Sequence, residues 1–197
     1  MLLVLAVIAA LLIPSSGVAG YIIVSAILCS MMIVTTFTFD DNSNWPRYAM
    51  IMPISKKDVV MGKYIVLAIF CVIGSLFGLI VSMIAGLALR KMTFDIEGIV
   101  ELLILALVAL ALSLVSGSMS IPLVFKFGAE KARVLLVVSI FVPLAVCFGL
   151  YQVLVLLGIE LTEQLIFILL CCSPVFGLVW CYLMYCICCR IFEKQEL

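Results

Sequence analysis

Five apolar stretches in this 197-residue chain are each long enough to cross a lipid bilayer, and no other feature of the sequence restricts its fold so strongly. They run from Val18 to Phe39, Tyr64 to Leu89, Ile99 to Phe125, Val134 to Leu157 and Leu165 to Cys189. Apart from Glu101, near the start of the third, none contains a charge. A helix needs about 20 apolar residues to cross a hydrocarbon core of roughly 30 Å, because each backbone N–H and C=O must be paired inside the segment. With 68% hydrophobic residues and a mean hydropathy of +1.46, the chain carries more apolar surface than a soluble core could hide.

A sixth apolar run, Met1 to Ile13, reaches only about 20 Å before Pro14 at about 1.5 Å per residue. It is expected to be the end of a first span whose start lies upstream. The rival reading, a signal peptide, lacks a basic leading region and a cleavage site. The expected architecture is all-α: one membrane domain over residues 1–197, a six-helix bundle with its first span (1–13) incomplete, then spans 18–39, 64–89, 99–125, 134–157 and 165–189.

Net charge is zero, so orientation rests on where the 11 Lys and Arg residues fall. Arg47, Lys56, Lys57 and Lys63 belong to the first long loop, Lys126, Lys131 and Arg133 to the second, and Arg190 and Lys194 to the tail. Only Arg90 and Lys91 lie opposite. The loop 40–63, the loop 126–133 and both chain ends are therefore predicted to face the cytoplasm, across the cell membrane from the short links at 14–17, 90–98 and 158–164.

The loop 40–63 is the longest polar stretch and holds the clearest local signals. Asn44 before Trp45 and Pro46 reads as a helix N-cap with proline in the first turn, starting a short helix that runs to about Met52 and stops at Pro53. Ser55 with Asp58 three residues later fits a capping box, so a second helix begins there and enters the membrane through Val59, Val60 and Tyr64. Trp45, Tyr48 and Lys63 suit the membrane interface. An ordinary interfacial loop with snorkelling lysines is the plainer alternative.

Within the spans, small residues recur every fourth position: Gly74, Gly78, Ser82 and Gly86 on one, Ala109, Ser113 and Gly117 on the next. That spacing puts them on one helix face, where two backbones can approach closely. They are read here as packing within one subunit, with contact between two as the alternative. Pro122, Pro143 and Pro174 each remove a helical hydrogen bond and permit a bend, static or hinged. The nine cysteines all fall in apolar spans and read as small hydrophobes. Cys186, Cys188 and Cys189 lack the histidine or second cysteine pair that a zinc site would use.

Several chemistries are missing. The chain has no histidine, which argues against zinc hydrolysis and serine–histidine catalysis. No carboxylate sits at mid-membrane, where proton or sodium coupling would need one; Glu101, with Asp95 and Glu97, reads as an outer acidic rim. Gln152 is the one clear mid-span amide, a contact for substrate or for a neighbouring helix. No glycine-rich phosphate loop ending in Lys-Ser or Lys-Thr occurs, so energy for active transport would have to enter from a partner.

The run Trp45-Pro46-Arg47-Tyr48, then Met52-Pro53-Ile54-Ser55-Lys56-Lys57, Asp58-Val59-Val60 and Gly62-Lys63-Tyr64, resembles the type-2 permeases of ATP-binding-cassette exporters. The small bacterial permeases of peptide, bacteriocin or toxin export are the most similar. Ile121-Pro122-Leu123 through Lys126-Phe127-Gly128 to Glu130-Lys131-Ala132-Arg133 adds to the resemblance, which covers nearly the whole chain. It departs from the family in having no charged amphipathic helix before its first apolar run.

The resemblance implies a permease subunit without an ATPase site, working as a dimer with a second or homologous permease copy on a pair of ATPase subunits. ATP and Mg would be bound by that partner, and no cofactor or nucleic acid by this chain. Pro53, Ile54, Ser55, Lys56, Lys57 and Asp58 would contact the ATPase, supported by Trp45, Arg47 and Tyr48. The nearly charge-free spans suit an amphipathic peptide, toxin or lipid-like cargo. A non-transporting immunity or assembly protein, and a secondary transporter, are the competing functions.

Overall fold

The computed structural model describes residues 19–43, 45, 55–88, 96–128, 139, 145, 149, 152 and 163–193. Within them the chain forms four long helices and no strand: α1 (Ala19–Asn42), α2 (Lys56–Ala88), α3 (Ile96–Phe127) and α4 (Glu163–Glu193). All four are long and apolar enough to cross a membrane, so the chain is an all-helical, multi-pass membrane protein. The opening run 1–13 and the short helix expected over 44–52 lie outside the described residues, Trp45 excepted. So does the stretch 134–157 apart from Ser139, Ala145, Gly149 and Gln152, each helical. The sixfold count of spans is therefore not tested by these four helices.

The helices run past their apolar cores. At 33 residues, α2 is about 50 Å long, against a hydrocarbon layer of roughly 30 Å. Its charged residues, Lys56, Lys57, Asp58 and Lys63, all fall in the first two turns or so. The α3 helix stops at Gly128, whose φ of 81° is open to glycine at little cost. Its N–H closes the last turn by donating to Val124 O at 2.8 Å.

The α3 helix is central, packed against α1, α2 and α4, and α1 also lies along α2. Two apolar clusters divide the interior. Ile22 and Ala26 of α1 meet Leu102, Ala106 and Ala109 of α3 in one. Ile33, Val34 and Phe37 of α1, Val60, Tyr64, Leu67 and Cys71 of α2, Leu114, Ile121 and Val124 of α3, and Cys188, Cys189 and Phe192 of α4 form the other. This larger cluster extends to the end of the bundle where α1, α3 and α4 finish and α2 begins, hereafter the base.

Polar atoms inside such a bundle are costly unless bonded. Ser30, Ser75, Ser113, Ser116, Ser118 and Ser120 are buried. Each hydroxyl donates to a carbonyl three or four residues earlier on its own helix, at 2.6–2.9 Å. The serines thus remain small packing residues with their O–H groups satisfied locally.

Candidate functional site

The base collects the side chains that the spans exclude. Ser55 and Asp58 form a capping box: Ser55 N donates to Asp58 Oδ2 at 3.1 Å, and Asp58 N donates to Ser55 Oγ at 3.2 Å. Ser55 Oγ also donates to the same carboxylate oxygen at 2.6 Å. Two of the otherwise unpaired groups at the helix start are satisfied reciprocally. The bonds from the Ser55 hydroxyl and then the Ser55 backbone favour the ionised carboxylate, holding Asp58 below its usual 3.8. Asp58 also lies at the positive end of the helix dipole. Ser55, Lys57 and Asp58 are exposed around this first turn, while Lys56 is half-buried.

One turn further in, Lys63 is held from several sides. It pairs with Asp40 of α1, donates to Thr36 Oγ1 at 3.3 Å, and lies 4.5 Å from the centre of the Phe37 ring. Its side chain is only 14% exposed, so the ammonium relies on these partners as well as on water. Asp40 and Lys63 bracket the polar loop, and their pairing brings its two ends together.

Aromatic rings complete the base. Phe37 meets Phe125 of α3 edge-on, centroids 5.1 Å apart, and Phe125 meets Phe192 of α4 at 4.8 Å. Lys56 Nζ lies 5.8 Å from the centre of Phe192. Deeper in the bundle, Tyr64 packs edge-on against Tyr185 of α4 at 5.6 Å and donates to Ser118 O of α3 at 3.4 Å.

Of the residues singled out as ATPase contacts, Ser55, Lys56, Lys57 and Asp58 thus form one capped helix start. Trp45 is helical and 43% exposed. Arg47, Tyr48, Pro53 and Ile54 lie outside the described residues. The small-residue positions lie among the helix contacts. A Cβ on Gly74 would come within 2.6 Å of Cys29 Cβ, and one on Gly78 within 2.9 Å of Ile22 Cα, both on α1. Ser25 Oγ donates to Gly74 O at 2.9 Å across the same contact. Gly117 faces Leu67 of α2; Ser82, Gly86, Ala109 and Ser113 are buried. Gln152 is helical and exposed, and Glu101 is exposed.

The sequence places Lys63 at the interface and in the permease-like run, and its pairing with Asp40 is not among the expectations. Opposite charges closing the two ends of one polar loop were the available signal. Phe37, Phe125 and Phe192 are also absent from the expectations, although each stands near the base end of a span. Gly177, where a Cβ would lie 3.3 Å from Ala111 Cα of α3, was overlooked although Ser173 stands four residues before it on the same helix face.

Ser30 and Met31 of α1 and Ser116 and Ser120 of α3 line a shallow crevice with no room for a water molecule, with Ser139 at its edge. Among the described residues no group of His, Cys, Asp and Glu side chains could hold a metal ion. The cysteines described are free thiols.

Compared with known proteins, residues 1–193 match the model of one family, described as ABC-2 family transporter protein. No curated protein and no solved structure matches the chain.

Proposed function

Because this chain belongs to the ABC-2 transporter family, we propose that it is the permease subunit of an exporter driven by ATP hydrolysed on a separate ATP-binding-cassette subunit. The base faces the cytoplasm, as the distribution of Lys and Arg indicates. Counting the opening apolar run and the stretch 134–157, the permease has six spans with both ends inside the cell. Two permeases work as a dimer over two ATPases, which hold ATP and Mg; this chain has no phosphate loop and adds no cofactor. Its cargo is amphipathic, a peptide, toxin or lipid-like compound, since the spans offer apolar faces and few charges.

The observation that carries this reading is the head of α2. A capped helix start carries Lys57 and Asp58 exposed, and its next turns are fixed to α1 through Lys63 and Asp40. A rigid charged helix end is suited to receive a push from a soluble subunit and to pass it into the bundle. The short helix over 44–52, with Trp45, Arg47 and Tyr48, would lie beside it as the rest of the docking element.

Purification from native membranes in mild detergent, with mass spectrometry of what accompanies the chain and an ATP-hydrolysis assay of the eluate, tests the proposal. The expected result is an ATP-binding-cassette subunit near one-to-one, with turnover. Reversing Lys56 and Lys57 to glutamate should abolish that association in a normally inserted protein. Absence of any ATPase from the wild-type preparation would refute the exporter reading and favour an immunity or assembly role.

A further inference from the structure

Four contacts at the base form a closed ring that touches every described helix. Lys63 of α2 lies against the Phe37 ring of α1 at 4.5 Å. Phe37 meets Phe125 of α3 at 5.1 Å, Phe125 meets Phe192 of α4 at 4.8 Å, and Phe192 lies 5.8 Å from Lys56 Nζ, back on α2. Lys56 and Lys63 are seven residues apart, two turns on one face, so the ring begins and ends on the head of α2. Phe37 and Phe192 are 5% and 4% exposed, and α1 and α4 meet here through Phe125 between them.

Ring contacts of this kind have preferred geometries. Edge-on and tilted aromatic pairs, and a cation over a ring face, are favoured at particular separations and angles, so shifting one member alone costs energy that moving its partner with it avoids. A displacement of α2 that moves Lys56 and Lys63 together therefore acts on α1 and α3 through one arm of the ring and on α4 through the other.

We propose that Lys56, Lys63, Phe37, Phe125 and Phe192 form the linkage by which movement of the α2 head reaches the other helices. This makes the three phenylalanines positioning residues for transport. The inference rests on the permease reading and adds to it the route inside this chain. Phe125 passes the movement to α3, and Phe192 receives it for α4 directly from Lys56.

The test is hydrogen exchange, read by mass spectrometry, on the assembled complex in lipid nanodiscs, nucleotide-free and trapped with ATP, Mg and vanadate. In the wild type, trapping should change exchange over 55–63, 120–127 and 186–193 together. Phe125→Leu, which keeps an apolar side chain and removes the ring, should lose the response at 120–127 and keep it at 186–193. Phe192→Leu should do the reverse, and Phe125→Tyr should restore the wild-type pattern. Thermal unfolding of each variant complex identifies those that fold, and two opposite losses in folded complexes cannot come from a general weakening of the bundle.

If both leucine variants keep the full response, the linkage is overturned and the Tyr64 contacts with α3 and α4 carry the movement instead. A wild-type complex that binds ATPase but shows no response at 120–127 or 186–193 overturns the linkage and leaves the permease reading standing. A wild-type chain that binds no ATPase overturns both.

Discussion

Replacing Gly78 by alanine adds one methyl group, directed at the backbone of α1. The new Cβ would stand 2.9 Å from Ile22 Cα, 3.1 Å from Ser25 Cβ and 3.2 Å from Ile22 O. Carbon atoms prefer about 3.5–4.0 Å, so α1 and α2 must part by roughly 0.6 Å at that point, and main-chain atoms have no rotamer by which to give way. The same parting would stretch the Ser25 Oγ to Gly74 O bond, now 2.9 Å, towards the limit of a hydrogen bond. Overpacking of this kind costs about 1–3 kcal/mol, and replacing glycine in a helix returns up to about 1 kcal/mol. The net expectation is a loss of up to about 2 kcal/mol.

Gly62 supplies the control on the same helix, because a Cβ there meets nothing within 4 Å. Gly62→Ala should be neutral or stabilising by up to about 1 kcal/mol. With unfolding of both variants followed by circular dichroism in one detergent, Gly78→Ala should be less stable than the wild type and Gly62→Ala at least as stable. A Gly78→Ala protein as stable as Gly62→Ala would refute the argument that α1 and α2 touch backbone to backbone.

Other expectations follow from the base. Ser55→Ala removes the hydroxyl that caps α2 and should cost about 1 kcal/mol, read as faster amide exchange in residues 55–59 with the rest of α2 unaffected. Hydrogen bonds from Ser55 hold Asp58 below 3.8, so the stability it contributes is present above that value and is lost as pH falls through the lower folded value. Protection of the first-turn amides, taken relative to their intrinsic exchange rate at each pH, should therefore fall in acid in the wild type and lose that acid dependence in Asp58→Asn. A double-mutant cycle of Asp40→Asn with Lys63→Met should give a coupling of about 1–2 kcal/mol. Their side chains are 26% and 14% exposed, between the surface and buried cases. A coupling below about 0.3 kcal/mol would mean that water, rather than Asp40, satisfies Lys63.

What could be read in advance was local or periodic. Apolar runs longer than the bilayer is thick mark helices whatever surrounds them, because the backbone has no other way to pair its polar groups in lipid. The spans 18–39, 64–89, 99–125 and 165–189 accordingly appear as α1 to α4, each extended by a few residues or more. The box of Ser55 and Asp58 was legible too, since both partners lie within one turn. Helix ends were less so: hydropathy drops at the first charges, whereas the helix continues for as long as its backbone bonds and its packing hold.

Other features depended on bringing separate helices together. Spacing by four identified Gly74 and Gly78 as a packing face, but a period belongs to one helix and does not name its partner; only the packed bundle brings in Ile22, Ser25 and Cys29 of α1. Asp40 and Lys63 could be seen as charges at the two ends of a loop, yet their pairing depends on the angle and depth at which α1 and α2 meet. Phe37, Phe125 and Phe192 are separated by long stretches of chain, with no motif relating them. The sequence by itself determined that this protein lives in a membrane as apolar helices and where one of them is capped, since both follow from backbone pairing within short range. Which side chains meet across the bundle was decided by the tertiary structure, because in lipid the choice between helix faces rests on shape and on a few buried polar contacts rather than on hydrophobicity, which all the faces share.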